Sequence, residues 1–397
     1  MRVVVVAESW TPDVNGVTRS VAQVRDHLVR RGHECLVVAP EARHRPVVDH
    51  VPTVRVPAVR WPGAGVSVGL PGPRVAEVLR AEAPDVVHLA APFCLGAQAA
   101  RVADRLGVPS VAVYQTDVAA FAAGYGLGAG RSAAWRWTAA VHALAGRTLA
   151  PSRAAVADLH RHRVPRVHLW PRGVDAVAFA PAHRSARLRE RWAPGGEVVV
   201  GYVGRLAPEK QLHLLEPLSR TPGVRLVLVG DGPARAELRE RLPGAVLTGH
   251  LSGAALSTAT ASLDVFVHPG RHETFCQSLQ EALAAGVPAV APAAGGPLDL
   301  VRPGTGLLFA PDDAEDLRRC VLELVGDGDR RRAAGAAARA SVRDRTWESV
   351  GDLLLGHYAA VLAGDDVAGL PAPRAGGLGT RRPGGRRRPL AAPRGAA

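Results

Sequence analysis

Short runs of β-branched and aliphatic residues alternate with amphipathic stretches along most of the chain. Residues 3 to 7, 35 to 39, 85 to 90 and 109 to 114 are short, mostly apolar runs that read as strands buried on both faces. Between them, residues 17 to 31, 73 to 83, 96 to 106 and 132 to 146 repeat apolar positions at helical spacing. Strand and helix in alternation predict an α/β protein with a doubly wound parallel sheet. The period fades after Asp175 and restarts at Glu197-Val198-Val199-Val200-Gly201-Tyr202-Val203. From there the pattern predicts strands at 224 to 229, 245 to 248, 264 to 268 and 288 to 291, with helices between. The chain thus divides into two Rossmann-like domains, 1–175 and 176–345, joined near 175–195. A helix at about 345 to 362, assigned to 346–363, is placed to pack back across the hinge. Two such domains would face a central cleft lined by their strand ends, where open α/β sheets bind ligands.

A length of 397 residues suits two cores. Scarce aromatics, a single Met and plentiful Ala, Arg and Gly reflect a GC-rich genome more than a function. The net charge is +13, but residues 367 to 397 hold seven arginines and no acid, which leaves about +6 on the remainder. The Pro/Gly/Arg-rich tail, 364–397, cannot bury a core and is expected to be disordered. Such a tail could touch nucleic acid or anionic lipid. It has no aromatic residue on which a base could stack, so nucleic acid is not an expected partner. Cys35, Cys94, Cys276 and Cys320 lack metal-ligand spacing, which argues against zinc and against a disulfide framework. Met1-Arg2 leads straight into the first apolar run, and no run approaches bilayer-spanning length. The expectation is a cytoplasmic protein, attached at most to the inner face of the plasma membrane.

The chemistry concentrates in Arg271-His272-Glu273-Thr274-Phe275-Cys276-Gln277-Ser278-Leu279-Gln280-Glu281. The run crosses a predicted strand-to-helix turn, with Glu273 at the helix mouth and Glu281 about two turns deeper on nearly the same face. A carboxylate pair so placed can grip a polyhydroxylated ligand at two points. Three loops could hold a phosphate. Asn15-Gly16 follows the first strand and opens a helix, which is either an anion cradle or an ordinary tight turn. Gly204-Arg205-Leu206-Ala207-Pro208-Glu209-Lys210 follows a strand and is expected to open a helix; Arg205 can fork onto phosphate oxygens, and Lys210 adds a point charge. Ala293-Ala294-Gly295-Gly296-Pro297 also follows a strand, and its glycines would let a ligand approach the backbone. No Walker ending and no GxGxxG opening is present, so a kinase or nicotinamide enzyme is poorly supported.

With these motifs in place, the chain resembles the retaining glycosyltransferases of family 4, which have the GT-B fold. The resemblance covers roughly residues 1 to 362. It rests on Gly204-Arg205-Leu206-x-x-Glu209-Lys210, on Val229-Gly230-Asp231-Gly232-Pro233, and on Glu273 and Glu281 within the block from Asp264 to Pro288. Glu8-Ser9-x-x-Pro12-x-x-Asn15-Gly16-Val17 and Tyr114-Gln115-Thr116-Asp117 look further like the actinobacterial GDP-mannose-dependent α-mannosyltransferases that act on lipid acceptors. The resemblance implies that Arg205 and Lys210, beside Gly204, bind the donor diphosphate. It implies that Glu281 holds ribose hydroxyls and Glu273 hydroxyls of the transferred sugar. Backbone N–H groups of Phe275 and Cys276, with Thr274 beside them, would reach sugar or phosphate oxygens. Gly295 would line the donor site, and Gly16 would line the cleft from the other domain. Relatives often carry Gly in place of Cys276 and His in place of Gln115. Gln cannot act as a base near neutral pH. Asp117 is then the first candidate to orient the acceptor, with turn capping as its competing role. Asn15, His88 and Gln115 complete the acceptor side.

Breaking a sugar–diphosphate bond leaves positive charge at the anomeric carbon and negative charge on the departing diphosphate. Fixed cations aimed at the leaving group favour that transition state. Arg205, Lys210, Glu273 and Asp117 are therefore the residues assigned to catalysis. In retaining members of this fold the departing phosphate oxygen can take the acceptor's proton. No base, metal or other cofactor is then obligatory. Asp327-Gly328-Asp329, the one Asp-x-Asp, sits at a predicted helix end and suits a turn role. His88 either faces the cleft or is a satisfied core histidine. Trp135, Trp137, Val141 and Leu144 sit on a predicted helical segment that also carries Arg131, Arg136 and Arg147. They form either core or a basic face that meets anionic membrane. The expected partners are a nucleotide-diphosphate sugar and a lipid or glycoside acceptor. A sugar-nucleotide 2-epimerase of the same fold is the enzymatic alternative, and a basic nucleic-acid-binding protein the alternative from another class.

Overall fold

The computed structural model describes residues 1–13, 15–41, 52–60, 67–115 and 130–365. Asp117 and the Arg-rich tail beyond residue 365 lie outside the described residues. Strands β1 (Arg2–Ala7), β2 (Glu34–Pro40) and β3 (Thr53–Val56) come first, followed by an antiparallel hairpin of β4 (Ala58–Arg60) and β5 (Ser67–Gly69). Then come β6 (Val86–Ala90), β7 (Ser110–Val113), β8 (Arg147–Ala150) and β9 (Val167–Leu169). Outside the hairpin they form one seven-stranded sheet, in the order β3-β2-β1-β6-β7-β8-β9. A second, six-stranded sheet holds β10 (Val198–Val203), β11 (Val224–Val229), β12 (Val246–Gly249), β13 (Val265–Val267), β14 (Ala289–Pro292) and β15 (Gly306–Phe309). Its order is β12-β11-β10-β13-β14-β15, and every pairing in both large sheets is parallel.

Alternate residues of each central strand feed opposite cores, which is why these strands read as unbroken apolar runs. Val3 and Val5 pack with Trp170 and Tyr358, while Val4 and Val6 pack with Leu79 and Leu95. In the second sheet Val199 and Val203 face one core, and Val200 and Tyr202 the other. Both strand orders reverse beside the first strand of their sheet, between β1 and β6 and between β10 and β13. Ligand crevices open at such switch points. The loops leaving β1, β10 and β13 carry Asn15-Gly16, Arg205 to Lys210 and Glu273, so topology alone gathers the motifs.

The C-terminal helix, Trp347–Leu362, belongs to the first sheet's core through Val350, Leu354 and Tyr358. Trp170 donates from Nε1 to Val350 O at 2.9 Å, and Arg31 Nη2 meets Asp352 at 2.6 Å. The chain returns to the first sheet where Val174 bridges to Thr346.

Several expectations need correction. Lys210 does not open a helix. Pro208–Lys210 is one 3-10 turn, followed by Leu212–Leu215 in a second, because Gln211 between them takes a left-handed φ of 52°. No helix dipole therefore stands behind Lys210. Only Glu281 of the carboxylate pair lies on the helix, which spans Gln277–Ala284. Strands β8, β9 and β15 are only three or four residues long, too short for a period to show, and the pattern did not reveal them. Asp327 caps the Gly328–Val342 helix by accepting from Arg330 N, the kind of local role its position suggested.

Candidate functional site

Glu273 leaves the end of β13 in a loop that turns back toward β10. Its Oε1 lies 2.6 Å from Lys210 Nζ and 3.2 Å from His268 Nε2. Burial would raise the Glu273 pKa, but the Lys210 and His268 charges outweigh it and hold the carboxyl well below the usual carboxylate range. Burial likewise opposes charge on His268, yet Cys276 and Glu273 raise its pKa to about 9. The His268 ring is buried against Tyr202, stacked with centroids 5.8 Å apart. His268, Glu273 and Cys276 place one ligand atom each within 4.8 Å of one another, a set a soft divalent ion could use. Any such ion would have to displace the Lys210 ammonium, so a charge-compensated carboxylate is the simpler account.

Cys276 ends the loop in the left-handed region, at φ 78° and ψ 72°, where a side chain is strained. A Gly at this position would carry no such strain. Among the described residues, no hydrogen bond uses the amides of Phe275 or Cys276, so both N–H groups remain available to an oxygen ligand. The Gly295-Gly296 loop closes over this segment. Gly295 has φ +61°, and a Cβ there would lie 2.5 Å from Glu273 O. Its glycines thus admit the Glu273 and Phe275 backbone. The same holds at Gly230, where a Cβ would lie 1.9 Å from Gly204 O and force apart the two motif loops after β10 and β11.

Arg205 is paired with Glu209 at 2.7 Å and Lys210 with Glu273, so neither cation awaits an anion unaccompanied, as the motif alone suggested. A diphosphate binding here competes with carboxylates for both.

Glu281 is 5% exposed and meets Arg19 Nη1 at 2.7 Å, across the cleft from the first domain. Burial pushes its pKa up to about 7, with Arg19 and Gln277 pulling the other way. Further contacts sew the domains together around this pair. Thr274 Oγ1 donates to Gln115 O at 3.0 Å, Gln280 Nε2 to Arg172 O at 3.0 Å, and Gln277 Nε2 to Gly173 O at 3.0 Å. Thr274 therefore serves as a strut to the facing domain.

On that facing side, Gly16 opens the Gly16–Arg30 helix without a positive φ, and a Cβ there would meet nothing within 4 Å. Asn15 Oδ1 accepts from Val17 N and Thr18 N, both at 3.0 Å. Asn15 is thus a helix cap, and it already occupies two of the amides an anion would use. His88 is not on the acceptor side. It is buried, its Nδ1 lies 2.8 Å from the Tyr358 hydroxyl, and burial followed by the Arg172 charge lowers its pKa to about 3. Gln115 does reach the cleft, where its Oε1 accepts from Arg172 Nη2. Trp135 is core, stacked on His162 with centroids 3.7 Å apart, whereas Trp137 is 37% exposed with Arg101 over its ring at 5.1 Å.

The sequence reading gave no role to four side chains. Glu8 is buried and accepts from Phe93 N at 2.7 Å and Gly96 N at 2.9 Å, fixing the loop after β1. Arg19 stands one turn after the Asn15 cap, a spacing that could have marked it as cleft-facing. His268 directly follows β13 and could have been read as a strand-end residue. Arg172 is a buried cation in a loop, and no local pattern announces it.

Comparison with known proteins follows the same outline. Residues 14–177 match the model of Glycosyltransferase Family 4, and residues 185–341 match that of Glycosyl transferases group 1. A "GDP-mannose-dependent alpha-mannosyltransferase" of Mycolicibacterium smegmatis is 54% identical over 91% of this chain and 98% of its own length. One of the same name from Corynebacterium glutamicum is 46% identical over 91% of this chain and 90% of its own. Among solved structures, sucrose-phosphate synthase from Thermosynechococcus elongatus superimposes with a TM-score of 0.74 at 20% identity, covering 91% of this chain and 99% of that one. HepE from Anabaena in complex with UDP gives 0.73 at 19%, covering 91% and 100%. Those two likenesses establish the two-domain GT-B fold.

Proposed function

Since the chain belongs to glycosyltransferase family 4, we propose that it moves mannose from GDP-mannose, with retention, to a lipid or glycoside acceptor. The donor assignment is supported by relatives that carry it in their names and align over nine-tenths of this chain. The observation that carries the chemistry is the contact of Glu273 with Lys210 and His268. A carboxylate held ionised by two cations is a strong hydrogen-bond acceptor and a poor proton donor. It suits gripping hydroxyls of the transferred sugar, not protonating a leaving group. When sugar hydroxyls engage Glu273, Lys210 can turn to the β-phosphate and Arg205 to the α-phosphate, where charge develops as the bond breaks. The Phe275 and Cys276 amides add neutral donors aimed at the same oxygens. The acceptor's proton passes to the departing phosphate oxygen on the same face, and neither a base nor a metal is called upon. Glu281 holds the ribose, and Gly16 leaves room for the donor on the facing wall.

A sugar-nucleotide 2-epimerase shares this fold, but the relatives give that alternative no support. For the acceptor, we place lipid contact on the face carrying Trp137, Arg131, Arg136 and Arg101, all exposed or stacked at the surface. No helix among the described residues is long and apolar enough to cross a membrane. Four free cysteines fit a reducing cytosol.

Donor choice is tested by thermal stabilisation with GDP-mannose, UDP-glucose and UDP-N-acetylglucosamine. GDP-mannose is expected to stabilise most, and stabilisation by a UDP-sugar alone would overturn the assignment. Proton NMR of the product should show the α-anomer. Consumption of donor without acceptor, giving a second nucleotide sugar, would restore the epimerase.

A further inference from the structure

Glu273 and Glu281 differ in where their cations come from. Glu273 is neutralised within its own domain, by Lys210 after β10 and His268 after β13. Glu281 is met by Arg19, from the first turns of the helix that follows β1 in the opposite domain. Among the described residues, the other neighbours of Glu281 supply no cation. The Gly253–Ala261 helix carries no charged side chain. Arg339 of the Gly328–Val342 helix donates instead to Ala284 O, at the far end of the Gln277–Ala284 helix. Asp299 of the Pro297–Leu300 helix accepts from Arg153 N, and Arg172 turns its guanidinium to Gln115. Arg19 uses one nitrogen on one carboxylate oxygen, Oε1, and its side chain is 44% exposed, so the pair borders open cleft.

We infer that Arg19 is the positioning residue that keeps Glu281 ionised and aimed for the donor's ribose, so that ribose recognition requires the two domains to be together. The inference rests on the reading of Glu281 as the ribose-binding carboxylate. A neutral carboxyl can accept from one ribose hydroxyl while its own proton needs an acceptor; a carboxylate accepts from both hydroxyls of the cis-diol. Burial alone favours the neutral form here, and Arg19 is the charge that opposes it. Arg19 reaches the carboxylate only when the facing helix is close, so an open cleft leaves Glu281 without its counter-charge.

The test reads the ribose contact alone. Binding of GDP and of 2′,3′-dideoxy-GDP is measured by calorimetry on the full chain at pH 6, 7 and 8.5, and the ratio of the two Kd values is taken. Titration of the phosphates and the base cancels in that ratio. In the wild type the preference for GDP should be about tenfold or more at pH 8.5 and shrink below about threefold at pH 6. Arg19→Ala should lose the preference at pH 7 yet recover much of it at pH 8.5, where Glu281 ionises without help. Arg19→Lys should lie between. A preference unchanged in Arg19→Ala at every pH, or lost equally at every pH, would overturn the role of Arg19. If wild-type protein binds GDP but shows no preference over the dideoxy analogue, the ribose reading of Glu281 itself falls. Melting temperatures of the variants at pH 8.5 check that each folds.

Discussion

Replacing Glu281 with Gln should stabilise the ligand-free protein at alkaline pH while weakening donor binding. The carboxyl is buried, and burial lifts its pKa to about 7 in the fold. In the open chain it titrates near its ordinary value of about 4.3. The sign follows from linkage. A carboxyl whose folded pKa is raised contributes stability below the unfolded pKa and loses it as pH climbs through the folded one. At pH 4 both states hold the proton and the group is nearly neutral to stability. Between pH 4.5 and 7 the open chain sheds its proton first and gains on the fold. Well above pH 7 the ionised side chain costs the folded state about 4 kcal/mol, from about 1.4 kcal/mol per tenfold difference in proton affinity, and about 3 kcal/mol of it develops between pH 4.5 and 8.

Gln keeps the shape and removes that cost. Arg19 loses a partner, but its side chain is 44% exposed and water takes over. The variant's advantage should therefore grow by about 3 kcal/mol from pH 4.5 to pH 8, roughly 6–12 °C in the melting temperature of a domain of this size. Scanning calorimetry at four pH values, with the second domain's transition followed separately, measures it. A gap between variant and wild type that stays flat from pH 4.5 to 8 would refute the reasoning. So would a variant less stable than wild type at pH 8. The same protein should bind GDP about tenfold more weakly at pH 8, because an amide is a weaker acceptor than a carboxylate.

Lys210→Met retains the stem and strips the ammonium from Glu273, leaving His268 as its partner. We expect a loss of about 2–3 kcal/mol in stability and at least about a hundredfold in kcat, read by thermal unfolding and initial rates. Cys276→Gly relieves a left-handed side chain at about the entropy that glycine adds to the open chain, so its melting temperature should barely move. Cys276→Val puts a β-branched residue at φ 78° and should lose about 2 kcal/mol or more; a Val variant as stable as wild type would mean the loop does not hold that conformation. Trp137→Ala with Arg136→Ala should leave the fold intact and reduce co-sedimentation with phosphatidylglycerol vesicles, while neutral vesicles show no change. Equal sedimentation of variant and wild type would move the membrane contact elsewhere.

Much of the fold was legible because most of its strands are buried on both faces. β1, β2, β6, β10 and β11 are predominantly apolar runs, and each was found within a residue or two. β9 and β15, of three and four residues with intermediate burial, give no such signal. At the site, the motif loops could be read, since glycines and carboxylates at strand ends have few other uses. The environment of each carboxylate could not. Whether Lys210 faces a phosphate or Glu273, and whether Arg19 reaches Glu281 over a separation of 262 residues, depends on how β10, β13 and the facing helix are set in space. His88 shows the converse. Its place at the end of a strand suggested the cleft, but the C-terminal helix brings Tyr358 over it and closes it into the core.

The two glutamates, eight positions apart, therefore work under opposite electrostatic conditions. Glu273 owes its charge to Lys210 and His268, which leave neighbouring strands of one sheet, so it stays ionised whether the domains approach or separate. Glu281 owes its charge to a residue of the other sheet's first helix, so its state follows the cleft. Nucleotide and sugar ends of one donor are thus gripped by groups of different kinds, one fixed in advance and one completed on closure. An open cleft would keep Glu273 ready for the sugar and hold Glu281 in a form that grips ribose poorly. Donor that binds must then draw Arg19 in with it, and release of the nucleotide is favoured as Arg19 withdraws. The ribose contribution to nucleoside diphosphate affinity should accordingly strengthen as pH rises through the neutral range and Glu281 ionises.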